Sequence, residues 1–207
     1  MTGSTTRESI GELGSRLVVC VLFLMLTAKL WADFVATGRF TGLLFLVSEG
    51  LVVILTVLRR RAHVVDRSIA SAALTTMSLL GPPLMRPGGG DSLVPDLVTV
   101  AVSTVGVAIV IVGKVTIGRS FGIAPANRGI VDRGPYNVVR HPIYAGYLVT
   151  HAAALVAYPT MWNVVVLVTA DIALVLRALA EERVLQQDAA YQAYCGRVAW
   201  HLVPGVF

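Results

Sequence analysis

The stretch Arg140-His141-Pro142-Ile143-Tyr144-Ala145-Gly146-Tyr147 decides the fold, because it places ionisable side chains at the start of a long apolar segment. Arg177, Glu181 and Glu182 stand in the same way at the end of the next apolar segment. A charge inside a bilayer costs about 2.5–3.5 kcal/mol on insertion scales, so ionisable residues at that depth usually mark a site. The two segments therefore predict a small-molecule pocket at one mouth of a helical membrane protein.

The composition of the chain also indicates a membrane protein. Of its 207 residues, 56% are hydrophobic and 14% are charged, and the mean hydropathy is +0.75. A soluble domain carries about 25% charged residues, so this chain has too few of them to cover the surface of a soluble protein. The net charge of +5 does not indicate a nucleic-acid partner, because the sequence has no basic face interleaved with aromatic residues. Cys20 and Cys195 lack metal-ligand neighbours at a useful spacing, which predicts no metal.

Six apolar runs approach the length of about 20 residues that crosses a bilayer. They predict an all-α transmembrane bundle of about six spans in a single domain, with a cytoplasmic C-terminal helix and tail. Residues 1–117 hold the N-terminal spans, and residues 118–207 hold a loop, a helical hairpin and the tail. Because the third run contains Gly81-Pro82-Pro83, a five-span version with a re-entrant third segment stays open. The runs are Leu17–Phe34, Gly42–Leu58, Ile69–Leu84, Leu93–Ile117, Ile143–Tyr158 and Met161–Leu179.

The distribution of basic residues predicts the orientation of the chain. With six spans and a cytoplasmic N-terminus, only Lys29, Arg39 and Arg86 of the 17 basic residues fall outside. Basic residues concentrate in cytoplasmic segments of membrane proteins. We therefore expect a protein of the cell membrane whose termini and pocket all face the cytoplasm. The five-span version fits the charges less well, because it separates the two basic loops.

Tight hairpin geometry between the last two spans predicts which side chains converge. Pro159-Thr160 is too short for anything but a turn, so the start of the fifth helix lies beside the end of the sixth. His141 and Tyr144 should then meet Arg177 and Glu181, which share a helix face. Glu182 is turned by about 100° and can face elsewhere.

Two further ionisable groups lie deeper in the predicted bilayer. His151 and Asp171 fall at similar depths in the hairpin and predict a buried pair, whose role is either to lock the helices or to handle protons. Glu49 in the second span meets either Lys29 or a substrate headgroup, and the sequence does not decide between them. The Gly- and Pro-containing loop from Gly118 to His141 predicts irregular backbone with a functional role.

Several of these motifs resemble the isoprenylcysteine carboxyl methyltransferase family, whose wider clan includes the membrane phospholipid methyltransferases. The resemblance covers roughly Phe121 to Phe207. It is carried by Gly134-Pro135-Tyr136, Val139-Arg140-His141-Pro142-Ile143-Tyr144-Ala145-Gly146, Arg177 with Glu181-Glu182, and Tyr191-x-x-Tyr194 with Arg197-Val198.

The resemblance implies a membrane methyltransferase that uses S-adenosyl-L-methionine, held in a pocket under the C-terminal segment. It implies Arg177 and Glu181 as catalytic residues, with Arg177 facing the methyl acceptor. The acceptor would be lipid-soluble and would enter from the membrane lipid. The residues implied to bind the cofactor are Arg128, Gly129, Ile130, Val131, Tyr136, His141, Pro142, Ile143, Tyr144, Glu181 and Glu182.

The sequence leaves the acceptor and two other classes of protein open. We expect a small lipid or isoprenoid acceptor, and Arg177 favours an anion such as a carboxylate, although methylation at N or S is not excluded. The C-terminal Leu202-Val203-Pro204-Gly205-Val206-Phe207 also looks like the tail of sterol reductases, which use NADPH. A non-enzymatic membrane scaffold or transporter subunit is the third possibility.

Overall fold

The computed structural model of the chain describes residues 3–47, 64–65, 68–88, 91–120, 126–127 and 129–207. In these ranges the chain is helical, apart from loops, two short 3₁₀ turns and one pair of two-residue strands. Helix α2 covers residues 41–47, and most of the second predicted span, Gly42–Leu58, lies outside the described residues. The other helices are α1 (Gly3–Thr37), α3 (Ile69–Leu84), α4 (Asp96–Ile117), α5 (Pro142–Ala157), α6 (Met161–Leu185) and α7 (Ala189–Arg197). The 3₁₀ turns are Gly118–Ser120 and Gly134–Asn137.

Three of the described helices are long and apolar enough to cross a membrane. They contain the segments Cys20–Thr37, Asp96–Ile117 and Met161–Leu185. The apolar helices α3 and α5 have 16 residues each, or about 24 Å of helix. Pro82 and Pro83 lie in the last turn of α3, so they end that helix rather than interrupt it. The predicted helical membrane bundle is confirmed.

The helices pack as two close pairs, α4 against α5 and α3 against α6. Glycines form the contact between α4 and α5. A Cβ atom added to Gly146 would lie 2.7 Å from Val110 Cγ2 and 2.8 Å from the Gly106 carbonyl oxygen. Small residues such as these let membrane helices approach each other closely. We call Gly106, Val110 and Gly146 the glycine seam.

A short strand pair ties two loops together at one end of the bundle. Val64 pairs with Asn127 and Val65 with Ala126, in antiparallel register. The loop before α3 and the loop after α4 therefore lie on the same side. In the six-span version α3 leaves this side of the membrane and α4 returns to it. The five-span version places the two loops on opposite sides, so the strand pair fits six spans better.

The C-terminal segment folds back onto the start of α5. His141 is the residue before the first turn of α5, and Pro142 is the first helical residue, where its missing N–H costs nothing. The backbone N–H groups of Arg140 and His141 donate to the carbonyl oxygens of Trp200 and His201, each at 2.9 Å. This pairing brings the tail to the same end of the bundle as the end of α6.

Candidate active site

A cavity lies where the loop before α5, the end of α6 and α7 meet. Eight of the predicted cofactor residues line it, namely Gly129, Ile130, Val131, Tyr136, His141, Ile143, Tyr144 and Glu181. Sequence reasoning did not assign six other lining residues to the site, namely Ile117, Ser120, Arg140, Leu185, Tyr191 and Tyr194.

Tyr144 is the centre of the polar wall of the cavity. Its hydroxyl donates to Glu181 Oε2 at 2.9 Å, and the Arg177 guanidinium lies 5.1 Å from its ring centre. The imidazole of His141 stacks on the same ring at 5.3 Å, with an angle of 11° between the planes. The predicted convergence of these four side chains across the hairpin is therefore confirmed. Among the described residues, Tyr144 alone donates to Glu181, so the carboxylate can still accept from a ligand.

Glu182 does not line the cavity, and its carboxylate is enclosed by basic side chains instead. Oε2 accepts from Arg140 Nη1 at 3.0 Å. Oε1 accepts from His141 Nε2 at 2.9 Å and from His201 Nδ1 at 2.6 Å. The turn of about 100° between adjacent helical residues separates Glu182 from Glu181. Pro142, also expected at the cofactor, is likewise absent from the lining and is buried at the start of α5.

Arg177 lies behind Tyr144, in the interior of the bundle. Arg177 is only 5% exposed, and its Nη1 donates to Ser78 Oγ at 3.1 Å. Its Nε has no hydrogen-bond partner, and no carboxylate within the described ranges forms a salt bridge with it. A buried guanidinium without a counter-ion is costly, so this position favours an anionic partner.

Three tyrosines form the aromatic side of the cavity. The hydroxyl of Tyr194 donates to the Tyr136 carbonyl oxygen at 2.7 Å, which fixes α7 against the loop. Tyr191 is 3% exposed, and its buried hydroxyl has no hydrogen-bond partner in the part of the chain that the structure describes. Burial, with a smaller contribution from Glu181 or Glu182 respectively, raises the pKa of Tyr136 and of Tyr191 above the ordinary value. Both phenols therefore stay protonated at neutral pH and can donate to a ligand.

The remaining predicted residues lie away from the cavity wall. His151 Nδ1 lies 2.5 Å from Asp171 Oδ1, which confirms the buried pair. Lys114, which sequence reasoning missed, is fully buried on α4 with its ammonium 4.9 Å from the Tyr147 ring centre. Lys114 could have been identified from the sequence, because it is a single lysine within an apolar span. Arg128 and Glu49 lie outside the described residues.

No group of three or more His, Cys, Asp or Glu side chains that could hold a metal occurs in the part of the chain that the structure describes. The expected absence of a metal stays a prediction. The Glu181 carboxylate is the acidic group in the lining, and the other polar side chains there are Ser120, Arg140, His141 and four tyrosines. Such a set suits an organic ligand with a cationic group.

The fold and the cavity together define a helical membrane protein with a cavity at one end of its bundle. Residues 95–192 match the family model described as phospholipid methyltransferase. This match runs from the start of α4 into α7, and the matched family lies in the clan that the motifs indicated. A search of curated proteins found no match. The family and the apolar helices indicate an integral membrane methyltransferase.

Proposed function

We propose that the protein transfers a methyl group from S-adenosyl-L-methionine to a lipid-soluble acceptor. One observation carries the proposal: the Glu181 carboxylate, oriented by Tyr144, lies in the wall of a cavity inside the region that matches the phospholipid methyltransferase model. The positive-inside distribution of charge supports a cavity that faces the cytoplasm from the cell membrane.

The polar side chains that line the cavity fit S-adenosyl-L-methionine. Its sulfonium and ammonium cations match Glu181, and its carboxylate needs a donor such as the unpartnered hydroxyl of Tyr191. Apolar side chains of Ile130 and Ile143 offer a surface for the adenosine. When bound, the cofactor supplies an electrophilic methyl group on sulfur.

Transfer of such a methyl group requires in-line placement of the acceptor and exclusion of water, but no covalent nucleophile. Tyr144 is suited to place the two reactants, because it contacts Glu181 through its hydroxyl and Arg177 through its ring. In our proposal Glu181 holds the cofactor and Arg177 holds the acceptor.

The acceptor that fits Arg177 best is an anion on a lipid or isoprenoid, such as a carboxylate. The buried guanidinium has an unused Nε–H, and an incoming anion would neutralise it. A carboxylate oxygen can form the new bond to the methyl carbon while the bond from that carbon to sulfur breaks. No proton has to be removed from such an acceptor.

A dinucleotide cofactor fits the cavity less well, because its phosphates require free cationic donors. Arg140 is the arginine in the described lining, and its guanidinium is already used by Glu182 and by the carbonyl oxygens of Val198 and Cys195. Calorimetric titration of the detergent-purified protein with S-adenosylhomocysteine and, separately, with NADPH tests the proposal. We expect micromolar binding of the first compound and none of the second. Binding of NADPH alone would indicate a reductase.

A further inference from the structure

We infer that His201 is a positioning residue, which holds the wall of the cavity in its binding geometry through Glu182 without touching the ligand. This inference rests on the proposed function for the nature of the ligand. His201 lies in the C-terminal tail, outside the lining of the cavity. Its side chain is nonetheless one of three that fix Glu182.

A continuous set of contacts runs from the tail to the cavity. His201 Nδ1 donates to Glu182 Oε1 at 2.6 Å, and His141 Nε2 donates to the same oxygen at 2.9 Å. The His141 ring stacks on Tyr144, and Tyr144 donates to Glu181. A shift of the Glu182 carboxylate therefore changes two side chains that line the cavity, His141 and Tyr144.

The surroundings of His201 favour a fixed ring rather than a mobile surface side chain. The ring stacks on Phe207 at 4.8 Å, and the His201 carbonyl oxygen accepts from the His141 N–H at 2.9 Å. The backbone of His201 thus pairs with the residue before α5, while its side chain contacts Glu182 at the end of α6. Ionised carboxylates only accept hydrogen bonds, so both imidazoles must present N–H to Glu182.

This arrangement assigns different tasks to the two adjacent glutamates. Glu181 faces the cavity and can accept from the ligand, whereas both oxygens of Glu182 are occupied by Arg140, His141 and His201. The family resemblance implied that Glu182 binds the cofactor. In the structure Glu182 instead supports, from behind, the part of the cavity wall that contains Glu181. Groups that support a binding site in this way fix the orientation of the groups that touch the ligand.

Two substitutions of His201 separate the donated hydrogen bond from the bulk of the ring. His201→Ala removes the donor, whereas His201→Asn keeps an N–H close to the position of Nδ1. For His201→Ala we expect the affinity for S-adenosylhomocysteine to fall about tenfold, since hydrogen bonds to charged groups are among the stronger ones. For His201→Asn we expect a loss of about threefold or less. Equal losses in both variants would overturn a role through Glu182.

Hydrogen exchange measured without any ligand provides a second readout. The amides of Arg140 and His141 donate to the tail, so their exchange should accelerate in His201→Ala and stay close to that of the unmodified protein in His201→Asn. Unchanged exchange in His201→Ala contradicts the inference, even if the unmodified protein fails to bind S-adenosylhomocysteine and the proposed function is wrong. Faster exchange together with unchanged affinity contradicts it as well.

Arg197→Ala is the matched control. Arg197 also joins the C-terminal region to the loop, through a 2.6 Å contact with Asp132, but the two side chains are 64% and 52% exposed. Exposed ion pairs contribute little. We expect this variant to bind S-adenosylhomocysteine within about twofold of the unmodified protein. An effect as large as that of His201→Ala would show that any loosening of the tail is sufficient, and would overturn the specific role of His201.

Discussion

The glycine seam and the mouth of the cavity hold the chain together by opposite means. Along the seam, Gly106 and Gly146 let the backbones of two apolar helices approach each other closely. At the mouth, a loop, a helix end and the tail meet through charged hydrogen bonds centred on Glu181 and Glu182. The first contact depends on shape, and the second depends on charge.

The difference shows where stability and where binding reside in this protein. Packing of small residues stabilises membrane helices because lipid offers no hydrophobic driving force between them. Charged groups near a bilayer are expensive, so they persist where a ligand or a fixed network uses them. Changes in the seam should therefore alter folding, and changes at the mouth should alter ligand affinity while the fold remains.

The largest expected effect comes from filling the seam. Gly146→Leu forces a side chain into the backbone of Gly106 and the side chain of Val110, which lie within 3 Å of the added Cβ. We expect a destabilisation of about 3 kcal/mol or more, because overpacking of a close contact displaces the helices. Thermal unfolding of the protein in detergent, followed by circular dichroism, measures this loss.

Gly196→Ala is the control for the seam. Gly196 lies within α7, and a Cβ there would meet nothing within 4 Å. Alanine is the better helix former by about 1 kcal/mol, so we expect unchanged or slightly higher stability. Equal destabilisation by both variants would contradict the role assigned to the seam.

The next largest effect concerns the carboxylate of the cavity. Glu181→Gln removes the charge that faces the ligand, and we expect the affinity for S-adenosylhomocysteine to fall about a hundredfold, at the upper end for hydrogen bonds to charged groups. The melting temperature without ligand should stay within about 2 °C. Arg183→Gln, an exposed neighbour on the same helix, should bind normally in the same titration. Retained affinity in Glu181→Gln would remove this carboxylate from the site.

Arg177→Met should affect stability and methyl transfer in opposite directions. Because the buried guanidinium has no carboxylate partner among the described residues, we expect the variant to be more stable by about 1 kcal/mol. Methyl transfer from labelled S-adenosylmethionine into a lipid extract should fall about thirtyfold, since an anionic acceptor loses its counter-ion. A strongly destabilised variant would instead show that Arg177 is part of the structural core.

Tyr191→Phe should give the smallest effect. The hydroxyl that it removes has no hydrogen-bond partner among the described residues, so the melting temperature without ligand should not fall. If this hydroxyl donates to the ligand, the affinity for S-adenosylhomocysteine should fall about fivefold. Unchanged affinity would show that the hydroxyl does not contact the ligand, and that the carboxylate of the cofactor binds elsewhere.

The parts of the site that depend on local geometry could be predicted from the sequence. Pro142 sets the start of α5, and the short connection at Pro159 aligns the two helices of the hairpin. These two facts suffice to bring Tyr144 to Glu181, because the distances along two antiparallel helices are fixed by the rise per residue. The angle between adjacent helical residues likewise predicted that Glu182 can face away from Glu181.

The parts that depend on long-range pairing could not be predicted. His201 reaches Glu182 only because the tail returns across the start of α5, and no periodicity in residues 198–207 indicates that path. The antiparallel pairing of Val64 with Asn127 joins two loops that are separated by two helices. Arg140 stands beside His141 in the motif. Its guanidinium is held by Glu182 together with the carbonyl oxygens of Val198 and Cys195, and the spacing of the motif does not indicate these contacts.

A structure of the protein determined with S-adenosylhomocysteine tests the central claim most directly. Our account predicts ligand density in the cavity between the loop before α5 and α7, with the amino-acid portion of the ligand against Glu181 and with Glu182 still bound by His201. Ligand density at another place, or an empty cavity at saturating ligand, would contradict the assignment of this cavity as the methyl-donor site.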